Sequence, residues 1–181
     1  LQLPVIFRLT PLCPPDLDEQ LAGRGYRRSA PTLVLGLELA GWQAPAGQPT
    51  ELQVLGLDPW LGVYDRVSAS VAGRQALHAA ILRAILPETL PAALTWQGQW
   101  AACGLGVLER GYFGLFDIVT QAGLRCQGLG TRLVGAMLAW AQDHGAQYSY
   151  LQVMEENLAA RRLYERQGYA ALYGYWYRVR D

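Results

Sequence analysis

The 181-residue sequence contains no lysine: all fifteen of its basic residues are arginine. That absence excludes a Walker-type phosphate loop, a pyridoxal Schiff base and every other mechanism that needs a lysine amine. Cysteine is scarce. Cys13, Cys103 and Cys126 are an odd number without CxxC spacing, which suggests neither a disulfide framework nor a zinc knuckle. His78 and His144 lie far apart and outside any HExxH pattern, so no metal ligands are assigned. Charge of one sign is lacking as well. Fifteen basic and fifteen acidic residues cancel, which removes the electrostatic case for nucleic acid or an anionic membrane surface as a partner. No apolar run reaches the roughly 18 residues that cross a bilayer. With 51% hydrophobic and 17% charged residues, the chain is expected to be globular, reduced and cytoplasmic, with a sizeable core. It begins at Leu1, not Met, and enters an apolar run at once, as expected of a chain missing its front end.

The pattern that is present alternates strands and helices. Val5 to Thr10 reads as a strand, Leu17 to about Arg24 as a helix closed by Gly25, and Thr32 to Leu39 as a second strand. Gly41 to Pro49 reads as a linker. Asp58–Pro59 is a helix start with a capping carboxylate, followed by Trp60, Leu61, Tyr64 and Val67 on one face. A further helix, about Arg74 to Leu86, carries Leu77, Ile81 and Ile85 at helical spacing. Three strands follow at 92–96, 100–108 and 112–119, the last two joined by a hairpin turn at Glu109–Gly111. A long helix over about Gly128–His144 has its apolar stripe at Leu129, Leu133, Met137 and Ala141. A strand over Tyr148–Met154, a helix over Leu158–Gln167 and an aromatic strand over Leu172–Val179 complete an α/β layered pattern. A shift of 143 residues sets Leu17, Leu21, Gly25 and Tyr26 on Ala160, Tyr164, Gly168 and Tyr169. That echo is either common helix–Gly–aromatic punctuation or the mark of a repeated module.

Chemistry concentrates at Arg125-Cys126-Gln127-Gly128-Leu129-Gly130-Thr131, between a β-rich segment and the long helix. Glycines there let a ligand approach the backbone, and the first N–H groups of a helix have no internal partner. Together with the helix dipole and Arg125, this makes a phosphate cradle. A dinucleotide fingerprint would need glycine where Leu133 stands, and no βαβ unit precedes the loop.

Arg125-x-x-Gly128-x-Gly130 resembles the Q/R-x-x-G-x-G/A pyrophosphate loop of the GNAT N-acetyltransferase superfamily. The strand before it ends Asp117-Ile118-Val119, as that family's fourth strand would. Downstream, Asn157-x-x-Ala160-x-x-Leu163-Tyr164-x-x-x-Gly168-Tyr169 resembles the family's second signature, N-x-x-A-x-x-L-Y-x-x-x-G-F/Y. The resemblance covers about residues 50–181. Phe7–Pro11 through Arg24–Tyr26 also resembles the middle of longer, tandem members. The resemblance implies a GNAT-like mixed sheet flanked by helices over residues 46–181. Residues 1–45 are then a strand–helix–strand fragment of a degenerate second module.

It further implies transfer of an acetyl group from acetyl-CoA to a primary amine in a ternary complex. The N–H groups of Cys126, Gln127, Gly128, Leu129, Gly130 and Thr131 would hold the pyrophosphate, with Arg125 beside them. The main chain at Ile118 and Val119 would pair with the pantetheine arm, and Asn157 and Ala160 would line it; Asn157 is also placed to cap its helix. Tyr164 would protonate the departing thiolate, or is a packed aromatic. Asp117 is the candidate base for the ammonium, or is held structurally by backbone or arginine, with water as the other acceptor of the proton. Glu109, in an exposed turn, is a weaker candidate. Trp60, Tyr64, Tyr173, Tyr175 and Trp176 would line the acceptor pocket, or are ordinary core or dimer-interface residues. Edge strands and exposed aromatics suit a homodimer. The rival reading is a non-catalytic acyl-CoA-binding module that regulates or scaffolds a partner.

Overall fold

A computed structural model describes residues 4–44, 52–68 and 75–180. The chain runs β1 (Val5–Leu9), α1 (Leu17–Gly23), β2 (Arg27–Glu38), β3 (Gln53–Val54), α2 (Leu57–Ser68), α3 (Gln75–Arg83), β4 (Glu88–Trp96), β5 (Gln99–Glu109) and β6 (Tyr112–Thr120). A 3-10 turn (Ala122–Leu124) then leads to α4 (Leu129–Asp143), β7 (Tyr148–Met154), α5 (Leu158–Arg166) and β8 (Ala170–Arg180). The part of the expected linker at 45–49 lies outside the described residues.

All eight strands form one mixed sheet in the order β1-β8-β2-β7-β6-β5-β4-β3, antiparallel except for the β6–β7 pair. The sheet separates two apolar layers. Neighbouring residues of β5 supply opposite faces: Ala102 joins the layer under α4 and α5, Cys103 the layer under α2 and α3. The stripe on α4 is buried as its spacing requires: Leu129, Leu133, Met137 and Ala141 are all in the core. The Glu109–Gly111 hairpin forms with Arg110 and Gly111 both at positive φ, the geometry a tight primed turn needs.

Two local expectations are corrected. Asp58 lies inside the first turn of α2 instead of capping it, and its carboxylate takes Arg83 of α3 at 2.7 Å. On α3 the stripe is rotated: Leu82 is buried, while Leu77 and Ile81 are exposed. Trp60 is fully buried and donates its indole N–H to the Ala92 carbonyl, so of its two readings the core one holds.

The N-terminal stretch shares this sheet: β2 lies between β7 and β8, and β1 pairs with β8 on the far edge. Asp18 of α1 ties the two stretches together, accepting hydrogen bonds from Trp176 and Arg178 of β8. The Arg178 guanidinium holds that carboxyl down to about 2. The arrangement is nearly two-fold symmetric along the chain. Val5 pairs with Arg180; a strict 143-residue relation would then pair Tyr148 with Leu37, and Tyr148 pairs with the next residue, Glu38. Helix ends match as well. Gly25 N–H donates to Ala22 and Tyr26 N–H to Leu21, just as Gly168 donates to Glu165 and Tyr169 to Tyr164. Both glycines have positive φ, which closes each helix.

Candidate active site

The ladder between the parallel strands β6 and β7 runs from Tyr112↔Tyr148 only as far as Leu115↔Leu151. Past that point β6 stays with β5 as far as Thr120, and β7 stays with β2 as far as Met154. The two strands splay. Beyond Leu115 the β7-facing edge of β6, which includes the stretch of Ile118 and Val119, therefore borders a gap, where an extended ligand can bond as an added strand. Two helices start at the mouth of this gap, α4 after β6 and α5 after β7.

The start of α4 is open. Gly128 is its N-cap residue, in left-handed conformation at φ 77°, and no side chain caps the helix. A Cβ on Gly128 would meet nothing within 4 Å. The first turn thus faces outward with its N–H groups available and its dipole positive, which fits a diphosphate. Cys126, also at positive φ, and Gln127 are exposed along the approach. Arg125 is exposed and leans back toward the Thr120 carbonyl. Gly130 serves differently from Gly128: it is buried, and a Cβ there would stand 2.7 Å from Leu163 of α5. It lets α5 lie against α4, so that only its N–H is left for a ligand. Leu129 is buried with its side chain in the core, and Thr131 is half-buried. Gln167 straps the two helices, donating to the Thr131 carbonyl at 2.8 Å.

Asn157 caps α5, its Oδ1 accepting from Ala160 N–H at 3.1 Å. The Nδ2 end remains a donor type suited to an amide carbonyl. Ala160 sits in the first turn, half-buried. Tyr164 lies one turn further, buried and edge-on to Tyr169 with ring centroids 5.8 Å apart. Burial pushes its phenol up to about 12, so it keeps its proton throughout the working pH range.

Asp117 occupies a bulge. Between Cys103↔Val119 and Leu105↔Phe116 the register slips by one, and Asp117 takes φ 50° there. Its partner is neither backbone nor arginine. The carboxylate lies 2.8 Å from His78 Nε2 of α3, and both side chains are about one-quarter exposed. Tyr64 of α2 packs on the imidazole, ring centroids 4.9 Å apart. Burial and the Asp117 charge push the Tyr64 phenol up, and the same two causes push the Cys103 thiol up to about 12. Cys103 is a neutral buried thiol, without the thiolate character a nucleophile needs. His78 was not legible as a site residue, because a lone histidine 39 positions from its acid has no motif.

The other aromatic positions sit elsewhere. β8 is separated from β7 by β2, the Tyr175 hydroxyl donates to Gln152, and the Trp176 indole donates to Asp18. The strand bordering β7 is β2, where Thr32 faces Met154 and the Pro31 carbonyl accepts from Glu155 N–H.

Residues 67–169 match the family described as "Acetyltransferase (GNAT) family". The chain belongs to that acetyltransferase family. A GNAT fold follows from membership. An uncharacterised N-acetyltransferase of Bacillus subtilis, YobR, is 40% identical over 70 residues, covering 39% of this chain and 28% of that protein. A GCN5-related N-acetyltransferase from Sphaerobacter thermophilus superposes with a TM-score of 0.76 at 16% identity, covering 98% of this chain and 60% of that one. A tandem GNAT protein from the clavulanic acid biosynthesis pathway has a TM-score of 0.66 at 15% identity, covering 97% of this chain and 64% of that one. These structural likenesses are of fold. The GNAT chain spans less than two thirds of each of these proteins. Among its described residues no helix is long and apolar enough to cross a membrane.

Proposed function

We propose that this GNAT protein transfers an acetyl group from acetyl-CoA to a primary amine by direct attack in a ternary complex. The observation that carries the reading is the uncapped, sterically open start of α4 at the mouth of the β6–β7 splay. Acetyl-CoA bound there supplies an activated acyl carbon. The N–H groups from Cys126 to Thr131 take its pyrophosphate, with Arg125 as a counter-charge beside them. The main chain at Ile118 and Val119 holds the pantetheine arm as a pseudo-strand, and Asn157 and Ala160 border it. Tyr164 gives its phenolic proton to the departing sulfur. Asp117, on the α2–α3 side of the sheet, serves the step in which the acceptor ammonium loses its proton. A neutral buried Cys103 favours direct attack over a cysteine-bound acyl enzyme.

The near two-fold relation of registers and helix ends supports reading residues 4–44 as the second half of a companion GNAT-like module. In that reading the last strands of the two modules, β2 and β8, have been exchanged across the pseudo-axis. The companion lacks the polar site residues: Pro14 stands for Asn157 and Leu21 for Tyr164.

The test is amine-dependent release of CoA thiol from acetyl-CoA, read against a panel of primary amines. Turnover with at least one amine is expected. Tight CoA binding without transfer to any amine would replace the enzyme with an acyl-CoA-binding module.

A further inference from the structure

The base of the proposed reaction can be located more closely, and this inference rests on the transferase reading. We infer that His78 is the group that takes the proton from the incoming amine, with Asp117 as the positioning residue that holds its ring.

The geometry carries this. Asp117 lies at the only register slip between β5 and β6, where positive φ directs its carboxylate out of the strand alternation to the α2–α3 side. There one oxygen is 2.8 Å from His78 Nε2. A hydrogen bond at Nε2 places that proton on the shared edge and leaves Nδ1, on the opposite side of the ring, as the basic nitrogen. The ring is clamped from a second direction by Tyr64, which is itself stacked on buried Trp60 at 5.3 Å. An imidazole fixed by a carboxylate and an aromatic face has lost the rotamer freedom of an ordinary surface histidine. It is still about one-quarter exposed, so a substrate can reach it. The titratable groups in contact with it are Tyr64 from α2 and Asp117 from β6, while Asp65 and Cys103 act on the Tyr64 phenol beside it.

The chemistry prefers the ring over the acid. As side-chain types, a carboxylate titrates near 3.9 and an imidazole near 6.5, against about 10.4 for an alkylammonium. A carboxylate is thus about six units too weak for direct removal of the ammonium proton, and an imidazole only about four. Protons and electrons balance as follows. R–NH3+ gives one proton to His78 Nδ1, which passes it to water. The freed lone pair forms the C–N bond while the C–S pair leaves with sulfur. Tyr164 protonates that sulfur, and the second amine proton restores the phenol. The net products are the amide, a free thiol and one proton in solution.

The test compares His78→Ala, His78→Gln and Asp117→Asn with wild type on primary alkylamines and on the matching O-alkylhydroxylamines, which are already unprotonated at neutral pH. His78→Gln keeps an N–H for Asp117 but has no basic nitrogen. For both His78 variants kcat/KM should fall about 10²-fold or more with alkylamines at pH 7, while the O-alkylhydroxylamine rate stays within about threefold of wild type. Asp117→Asn should show the same amine-selective loss, which a purely structural residue would not. Added imidazole should restore rate to His78→Ala and not to Asp117→Asn. CoA affinity, measured by calorimetry, should be unchanged and certifies the fold. Equal losses on both amine classes, or no loss, would overturn the inference while leaving the transferase reading intact. If wild type turns over neither class, the transferase reading falls and takes this inference with it.

Discussion

Replacing Gly128 separates the conformational demand of the phosphate cradle from its electrostatics. Gly128 has φ 77°, and a Cβ there meets nothing within 4 Å, so Ala, Gln and Glu, which share that Cβ, all carry the same backbone strain without a clash at it. That strain is about 1 kcal/mol for an L-residue held at positive φ. For a chain of this size it lowers Tm by roughly 2–4 °C, equally in the three variants. The charge effect is separate. A carboxylate about 5 Å from a phosphate charge opposes it by roughly 1–3 kcal/mol at effective dielectrics of about 80 to 20. Against two phosphate charges the sum is roughly 2–4 kcal/mol, or about 30- to 10³-fold in Kd. Calorimetric titration with CoA should therefore give Gly128→Ala and Gly128→Gln constants close together, with Gly128→Glu weaker by that factor. Thermal unfolding should show all three alike. If Gly128→Glu binds CoA as tightly as Gly128→Gln, the diphosphate does not sit at this helix start and the site assignment is wrong.

Tyr164→Phe should leave CoA affinity within about twofold and lower kcat by about 10²–10⁴-fold. Because burial holds the phenol up to about 12, the deficit should be constant between pH 6 and pH 10, in contrast to a group that ionises within that range. Deleting residues 1–44 removes β2 from between β7 and β8 and exposes the facing edges of both strands. Residues 45–181 alone should aggregate or give a molten near-ultraviolet CD spectrum, and a folded, monomeric fragment would contradict the exchanged-strand reading.

Local signals were legible in the sequence wherever one helix or one turn decides the outcome. The α4 stripe, the Glu109–Gly111 turn, Tyr148–Met154 and the Asn157 cap all depend on neighbours within a few positions, and all form where the pattern puts them. Non-local pairing was not legible. Nothing in Arg27–Glu38 states that it separates β7 from β8, because strand alternation fixes which face is buried and not which partner lies alongside. The Asp117 bulge is likewise invisible, since one extra residue in a ladder shows only when both strands are paired. His78 was hidden with it, because without a known contact to the acid the histidine has no role. Leu77 and Ile81 mark the remaining gap. Helical spacing identified a stripe on α3, but the tertiary contact chose the face carrying Leu82.

The claim on which the rest depends is that main-chain amides at the start of α4 bind the pyrophosphate. Amide chemical shifts of the ¹⁵N-labelled full chain during CoA titration test it directly. The largest shifts are expected at Cys126 through Thr131, accompanied by Ile118, Val119 and Asn157, while the hairpin amides of Glu109–Gly111 stay still. Saturable CoA binding that leaves the 126–131 amides unmoved would contradict the claim.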